Sequence, residues 1–124
     1  MNQVSTKSAL VIDDNFYNRD VASLALRHVG YQVSEAVDGI EALKILETEH
    51  FDLIILDLAM PEIDGCELLE RARRMRASLP AVAVSAYARP EDRQRALAAG
   101  YNGYCSKPIE TPEFLQTVRT VLSR

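Results

Sequence analysis

The run Leu53-Ile54-Ile55-Leu56 stands directly before Asp57 and indicates the class of fold. All four residues of the run are apolar. A strand that is buried on both faces needs such an uninterrupted run, whereas a strand with one face in water alternates apolar and polar side chains. The run therefore predicts the central strand of a parallel sheet with helices on both faces. It also places a carboxylate at the end of the most buried strand.

Other short apolar runs flank this strand and alternate with segments of helical periodicity. We expect strands at residues 9–12, 32–36, 53–56, 81–84 and 103–105. This alternation predicts an α/β fold with a doubly wound five-stranded parallel sheet. In such a sheet, ligands bind beyond the carboxyl ends of the strands.

The helical segments carry start and stop signals. Gly30 and Gly100 end the first and fourth helices. Asp64, with Glu67 three residues later, predicts a capping box before the third helix, and Thr111 before a proline predicts the N-cap of the fifth. The charged run 70–76 is interpreted as a solvated helix face. The predicted apolar stripes are Val21, Leu24, Ala25 and His28; Gly39, Ala42, Leu43 and Leu46; Leu68, Leu69, Ala72 and Met75; and Phe114, Leu115, Val118, Val121 and Leu122.

The composition is that of one globular domain, residues 1–124, with 48% hydrophobic and 26% charged residues. The formal charge of −4 provides no basic surface for direct contact with nucleic acid. No apolar run approaches the ~20 residues of a membrane span, and the polar start lacks the core of a signal peptide. We therefore expect no membrane insertion and a cytoplasmic chain. Cys66 and Cys105 are too few for a disulfide framework and are expected to be reduced and mostly buried.

Five polar side chains stand just beyond the ends of the predicted strands: Asp13, Asp14, Asp57, Ser85 and Lys107. Because the carboxyl ends of parallel strands meet at one edge, we expect these side chains to converge. Three carboxylates and one ammonium leave a charge of −2, which a divalent cation would cancel. Mg²⁺ accepts one or two carboxylates together with water and phosphate oxygens. Taken alone, the aspartate pair 13–14 is more often an N-cap, and the facing third carboxylate is what favours a metal site.

The same side chains suit phosphoryl transfer, which needs an in-line nucleophile and positive charge near the equatorial oxygens. Asp57 would be the nucleophile, because a carboxylate can accept phosphate. Mg²⁺ and Lys107 would neutralise phosphoryl oxygens, and the Ser85 hydroxyl would donate a hydrogen bond to one of them. Phosphorylation would exchange a charge of −1 on Asp57 for about −2. Such a change can switch a conformation.

In four separate pieces the chain resembles the receiver (CheY-like) domains of bacterial two-component response regulators. The pieces are VIDDN at 11–15, DLAMPEIDG at 57–65, VSA at 84–86 and YCSKP at 104–108. The resemblance covers essentially the whole chain and implies a flavodoxin-like strand order of 2-1-3-4-5 with five helices on both faces. It implies a phosphorylatable signalling switch rather than an enzyme. Asp57 would take a phosphoryl group from a phosphohistidine on a sensor histidine kinase or a histidine phosphotransfer domain.

The resemblance also implies roles for the residues around the acceptor. Asp13 and Asp14 would hold Mg²⁺ directly or through water, and the backbone carbonyl of Ala59 would complete the metal site. Ser85 and Tyr104 would switch together, the hydroxyl moving onto the phosphoryl group while the ring turns inward. A downstream protein would read the surface of the fourth helix, fifth strand and fifth helix. A cis peptide bond would precede the proline at 108.

Two positions are expected to set the lifetime of the phosphorylated state. Ala59, two residues after Asp57, has no side chain to orient a hydrolytic water. Tyr87, two residues after Ser85, is bulky and would shield the acyl phosphate, which predicts a long-lived mark. Residues 13–18 and 85–88 look more like receivers of hybrid kinases or phosphorelays than like those of DNA-binding regulators. The chain is then either a stand-alone regulator or a receiver from a longer protein.

Other functions remain open from the residues alone. A phosphohydrolase with an aspartyl-phosphate intermediate uses the same chemistry, but it needs an Asp-x-Asp at the first strand and usually a cap domain. A flavin-binding electron carrier needs a phosphate-binding loop where Asp13 and Asp14 would repel the phosphate. A degenerate receiver would be a protein-interaction module alone, and the filled phosphorylation positions disfavour it.

Overall fold

A computed structural model of the chain describes residues 7–60, 64–86 and 89–123. Within these ranges, parallel strands pair in the order β2-β1-β3-β4-β5, which confirms the doubly wound sheet and its predicted order. In the same ranges, no helix has the length and apolar character needed to cross a membrane. The strands are β1 (Ser8–Ile12), β2 (Gln32–Ala36), β3 (Leu53–Asp57), β4 (Ala81–Ser85) and β5 (Gly103–Ser106). The helices are α1 (Phe16–His28), α2 (Gly39–Thr48), α3 (Gly65–Met75), α4 (Pro90–Ala98) and α5 (Thr111–Leu122).

The central strand β3 is buried along its whole length. Its side chains alternate between two cores, because successive residues of a strand point to opposite faces of the sheet. Ile54 and Leu56 belong to a cluster that includes residues of α2, α3 and α4. Leu53 and Ile55 belong to a second cluster that includes residues of α1 and α5. Helices therefore cover both faces, as the apolar run predicts.

Strands β3, β4 and β5 each end one residue later than predicted. Asp57 is the last residue of β3 and pairs in register with Val84. Ser85 is the last residue of β4 and pairs with Ser106 at the end of β5. The predicted ends reflect side-chain polarity, whereas the backbone ladder continues through these polar residues. Asp57 and Ser85 are consequently held by the sheet itself rather than by a loop.

The helix starts differ from prediction in detail. Asp64 caps α3, and its Oδ1 accepts from Cys66 N at 2.7 Å and from Glu67 N at 3.4 Å. The Glu67 side chain pairs instead with an arginine one turn later, so the capping box is only half formed. Helix α5 already includes Thr111, and Glu110 is its N-cap residue. The N-cap predicted at Thr111 is therefore wrong by one residue.

The buried stripe of α1 also differs from prediction. Leu24 is 57% exposed and His28 is exposed, whereas Ala22 and Leu26 are buried together with the predicted Ala25. Apolar residues occupy more than one side of this helix, and the sheet and α5 cover only one of them. Periodicity alone did not identify which side is covered.

The charged run at the end of α3 was expected to be a solvated helix face, but one of its arginines is partly buried and hydrogen-bonded. Arg73 Nη1 donates to the Gly100 carbonyl at 2.6 Å, and its Nη2 donates to Asn102 Oδ1 at 2.8 Å. Arg73 Nε also donates to the Leu79 carbonyl at 3.2 Å. This arginine therefore ties α3 to the connection between α4 and β5. Its partners lie too far along the chain for a local charge pattern to reveal them.

Candidate functional site

Three carboxylates meet at the carboxyl edge of the two central strands. One oxygen from each of Asp13, Asp14 and Asp57 lies within 4.8 Å of the other two. Asp13 and Asp57 are each 4% exposed, and Asp14 is exposed. Asp13 follows β1 directly and Asp57 ends β3, and these strands pair side by side. The sheet therefore brings together the three acids that the sequence singled out.

Lys107 reaches this acidic cluster from beyond the end of β5. Its Nζ lies 3.3 Å from Asp13 Oδ2 and 3.1 Å from Asp57 Oδ2. Its backbone N–H donates to the Ser85 carbonyl at 2.8 Å, and its peptide bond to Pro108 is cis, as the resemblance implied. One ammonium thus offsets part of the charge of three carboxylates.

The cluster shifts the titration of Asp13. Burial raises the pKa of the Asp13 carboxyl, and the nearby charge of Asp57 raises this pKa as well. The hydrogen bond from Asn15 N, at 2.9 Å, and the ammonium of Lys107 act in the opposite direction. The ionised carboxylate is therefore held at an energetic cost, which a bound cation would reduce.

The Asp57 carboxylate has a defined orientation. Its Oδ1 accepts from Ala59 N at 3.0 Å, and its Oδ2 faces Lys107. Ser85, 2% exposed, ends the neighbouring strand β4 at the same edge. Tyr104 on β5 is 8% exposed and pairs in register with Ala83. The expected acceptor, lysine and serine thus occupy one edge, and the tyrosine lies on the strand next to the serine.

The donor set fits a small divalent cation. All three side chains offer hard carboxylate oxygens, which Mg²⁺ prefers, and the exposed Asp14 leaves one side of the cluster open to water. The carboxylates outnumber the lysine, so a cation would relieve their mutual repulsion. Ala59 is exposed and lies in the turn after β3, close in sequence to the cluster.

A cavity of about 220 Å³ opens at the carboxyl edge of β3 and β4. Ala59 and Ser85 line it together with residues from the start of α3 and from the first two turns of α4. Cys66 is among them and is exposed, so the expected burial of this thiol is wrong, whereas Cys105 is half-buried. The small side chain of Ala59 leaves this space open beyond the end of β3.

Some expected site residues lie outside the described residues, and one residue near the site was missed. Tyr87 and the motif residues 61–63 belong to the first group. Arg19 was missed: its Nη1 donates to the Asp13 carbonyl at 2.9 Å, and its Nε pairs with Glu35 at 2.9 Å. An arginine in the first turn of the helix that follows the acidic pair was the available signal, but its partner on β2 is not visible from local spacing.

The chain is thus a doubly wound α/β domain that carries an acidic cluster, a lysine and a serine at the carboxyl edge of its sheet. A family model described as the response regulator receiver domain matches residues 9–119. The chain belongs to this family. Receiver domains act as phosphorylatable switches in two-component signalling. As a family, they bind Mg²⁺ at an acidic pocket and interact with histidine kinases or phosphotransfer proteins.

Individual relatives agree with this assignment. The sensor histidine kinase RcsC of Escherichia coli K12 is 36% identical over 115 residues, a match that covers 93% of this chain and 12% of the kinase. The polar-differentiation response regulator DivK of Brucella ovis is 33% identical over 120 residues and is covered over 97% of its length, against 94% of this chain. A response regulator from Burkholderia pseudomallei, solved with a phosphorylated aspartic acid, a calcium ion and citrate, superposes with a TM-score of 0.82 at 28% identity. That match covers 94% of this chain and 69% of the solved chain.

Proposed function

We propose that Asp57 is the phosphoryl acceptor of this receiver domain and that residues 1–124 form one such domain. The observation that carries the proposal is the position of Lys107 Nζ, 3.1 Å from Asp57 Oδ2 and 3.3 Å from Asp13 Oδ2. A carboxylate that ends a buried central strand and is held at both oxygens is a nucleophile with little freedom to move. The neighbouring carboxylates of Asp13 and Asp14 would hold a cation next to Asp57.

The proposed reaction is an in-line displacement on a phosphohistidine. A carboxylate oxygen of Asp57 forms the new P–O bond while the P–N bond breaks, and the histidine nitrogen leaves with the electron pair. Lys107 offsets the negative charge added at Asp57, and the Ser85 hydroxyl donates to a phosphoryl oxygen. Mg²⁺, held by Asp13, Asp14, Asp57 and the carbonyl of Ala59, would supply further positive charge.

The conformational response would run from Ser85 to Tyr104. These residues lie on the adjacent strands β4 and β5, and Tyr104 lines a groove of about 520 Å³ between α4 and α5. A downstream protein would read this α4–β5–α5 face, because a movement of the Tyr104 ring changes the shape of the groove. Ala59 and Tyr87 would set the lifetime of the phosphorylated state, the alanine by offering no group for a water and the tyrosine by shielding the acyl phosphate.

The phosphoryl donor would be a sensor histidine kinase or a histidine phosphotransfer domain, and the role is that of a switch rather than a catalyst of turnover. The proposal keeps the cytoplasmic location expected from the sequence and assigns no direct contact with nucleic acid. It applies equally to a stand-alone regulator, like the similar DivK, and to a receiver within a longer kinase, like the similar RcsC.

Intact-mass measurement after incubation with a small acyl phosphate donor tests this function. We expect a phosphate-sized mass gain that requires Mg²⁺ and disappears in Asp57→Asn. Asp64→Asn is the matched control, because asparagine caps a helix as well as aspartate does and the same charge is removed nearby. It should gain the same mass as the native chain. A native chain that gains no mass, or an Asp57→Asn variant that still gains it, would refute the proposal.

A further inference from the structure

Arg19 connects the acidic loop after β1 to the end of β2. Its Nη1 donates to the backbone carbonyl of Asp13 at 2.9 Å, and its Nε donates to Glu35 Oε1 at 2.9 Å. The Arg19 side chain is only 12% exposed, so both bonds form largely out of water. The guanidinium carbon also lies 5.6 Å from the centre of the Phe16 ring. Three separate groups therefore fix this one side chain.

The bond to Asp13 acts on the backbone that carries two of the acids. Because a peptide bond is planar, fixing the Asp13 carbonyl fixes the plane that joins Asp13 to Asp14. The Asp13 carboxylate has its own contacts with Asn15 N and Lys107. Asp14 is exposed, so the peptide plane, which helps to set the direction in which its Cβ leaves the backbone, contributes more to its placement than packing does. Arg19 thus controls the part of the cluster with the least packing of its own.

Glu35 allows an arginine to lie near a cation site without repelling the cation. It accepts from Arg19 at 2.9 Å and lies 3.5 Å from Arg27 Nη2. The carboxylate neutralises much of the guanidinium charge at short range, and Arg19 then contributes geometry more than positive potential. Arg27 shares the same glutamate, but its further bond goes to the Val33 carbonyl, away from the acidic loop.

We propose that Arg19 is a positioning residue for the divalent cation: it holds the Asp13–Asp14 peptide in the orientation in which both carboxylates face Asp57. This inference rests on the proposed function, in which the acidic cluster holds Mg²⁺. It adds a residue that does not touch the ion but sets the affinity for it.

The sign of the effect separates positioning from plain electrostatics. If Arg19 acted only as a nearby positive charge, its removal would strengthen Mg²⁺ binding, because the site would become more negative. If Arg19 holds the ligands in place, its removal weakens binding. The loss of partners behind metal ligands typically lowers metal affinity about 10- to 100-fold. Since Arg19 bonds to the backbone of one ligand residue, we expect a loss near the lower end, about 10-fold.

Mg²⁺ titration of the unphosphorylated full chain by isothermal calorimetry provides the test. Arg19→Gln should bind Mg²⁺ about 10-fold more weakly than the native chain. Arg27→Gln is the matched control, since it removes an equal charge from the same helix and the same glutamate. It should change the affinity by less than about twofold. Equal affinities for the two variants, or tighter binding by Arg19→Gln, would overturn the proposal.

A second variant guards against unfolding of the first, which circular dichroism would reveal. Arg19→Lys keeps the charge, but one ammonium cannot hold two acceptors in the fixed geometry of a guanidinium. We expect it to fold and to bind Mg²⁺ several-fold more weakly than the native chain; native-like affinity would overturn the proposal. A merely stabilising role would lower the unfolding midpoint and leave the affinity of the folded chain unchanged.

The titration contains no phosphoryl donor, so its result does not depend on whether Asp57 accepts phosphate. A chain that binds Mg²⁺ but gains no mass refutes the acceptor role and leaves the role of Arg19 intact. A native chain that binds no Mg²⁺ at millimolar concentrations refutes the metal site and, with it, the role of Arg19.

Discussion

Replacing Lys107 with methionine should destabilise the folded domain, because the buried carboxylates of Asp13 and Asp57 lose the lysine ammonium group between them. Nζ lies 3.3 Å from Asp13 Oδ2 and 3.1 Å from Asp57 Oδ2, and the lysine side chain is 14% exposed. Removing one partner of a buried ion pair typically costs about 3–5 kcal/mol. The edge of this site is open on the Asp14 side, so the net loss in the free energy of unfolding should be lower, about 2–3 kcal/mol near pH 8.

The loss should depend on pH in a defined direction. Burial and Asp57 already raise the pKa of Asp13, and Lys107 acts against this shift, so the variant raises the Asp13 pKa further. A raised pKa means that the folded state binds the proton more tightly than the unfolded chain does. The contribution of the Asp13 carboxyl group to stability is fully present below the pKa of this group in the unfolded chain. It is lost as the pH rises through the pKa of the group in the folded chain. The variant should therefore lose little at about pH 4 and most at about pH 8.

Urea unfolding followed by circular dichroism, without divalent cations, measures this difference at both pH values. Lys44→Met is the matched control, because it removes the same charge from an exposed position on α2. It should change the free energy of unfolding by less than about 0.5 kcal/mol at either pH. If Lys107→Met matched this control, or lost the same free energy at both pH values, the electrostatic account of the site would be refuted.

Two further substitutions test how the site is held in place. Gly65→Ala would put a Cβ 2.6 Å from Leu58 Cδ2 and 3.2 Å from the Tyr101 hydroxyl. The free energy of unfolding, measured by urea titration, should therefore fall by about 1–3 kcal/mol. An unchanged free energy would show that α3 can shift freely. Arg73→Ala leaves the carbonyls of Leu79 and Gly100 without their donor and should lower the free energy of unfolding by about 2–3 kcal/mol. The same change at the exposed Arg74 should lower it by less than about 0.5 kcal/mol. Equal losses would contradict the bridging role of Arg73.

The sequence predicted those parts of the structure that depend on local pattern. The uninterrupted apolar run at 53–56 places β3 at the centre of the sheet, and residues at the ends of parallel strands converge whatever their side chains are. For this reason the predicted ends of β3 and β4 lie within one residue of the observed ends, Asp57 and Ser85. The family resemblance supplied the strand order and the cis bond before Pro108, neither of which follows from periodicity.

Contacts between distant segments were not predictable in the same way. Arg73 is satisfied by the carbonyl at residue 100 and by Asn102, more than 25 residues away, and Arg19 is satisfied by Glu35, 16 residues away. In the sequence both arginines look like ordinary solvated helix residues. Only the packing of α3 against the α4–β5 connection, and of α1 beside β2, turns them into bridges. A local pattern records which residues are charged but not which backbone carbonyls they will meet.

The distribution of charge at this edge supports the switch that we propose at Asp57. Asp13 is 4% exposed and carries a raised pKa, so the folded chain maintains an unfavourable charge here even with Lys107 beside it. Asp57 stays in place beside this charge, because strand pairing with β4 and the Ala59 amide fix its position. A phosphoryl group on Asp57 would increase the negative charge at a point where the carboxylates are already poorly compensated. The backbone N–H of Lys107 donates a hydrogen bond to the Ser85 carbonyl, so any adjustment to the new charge involves β4 and the segment after β5 together. Tyr104 lies on β5 at the groove between α4 and α5, the face that we propose a partner reads.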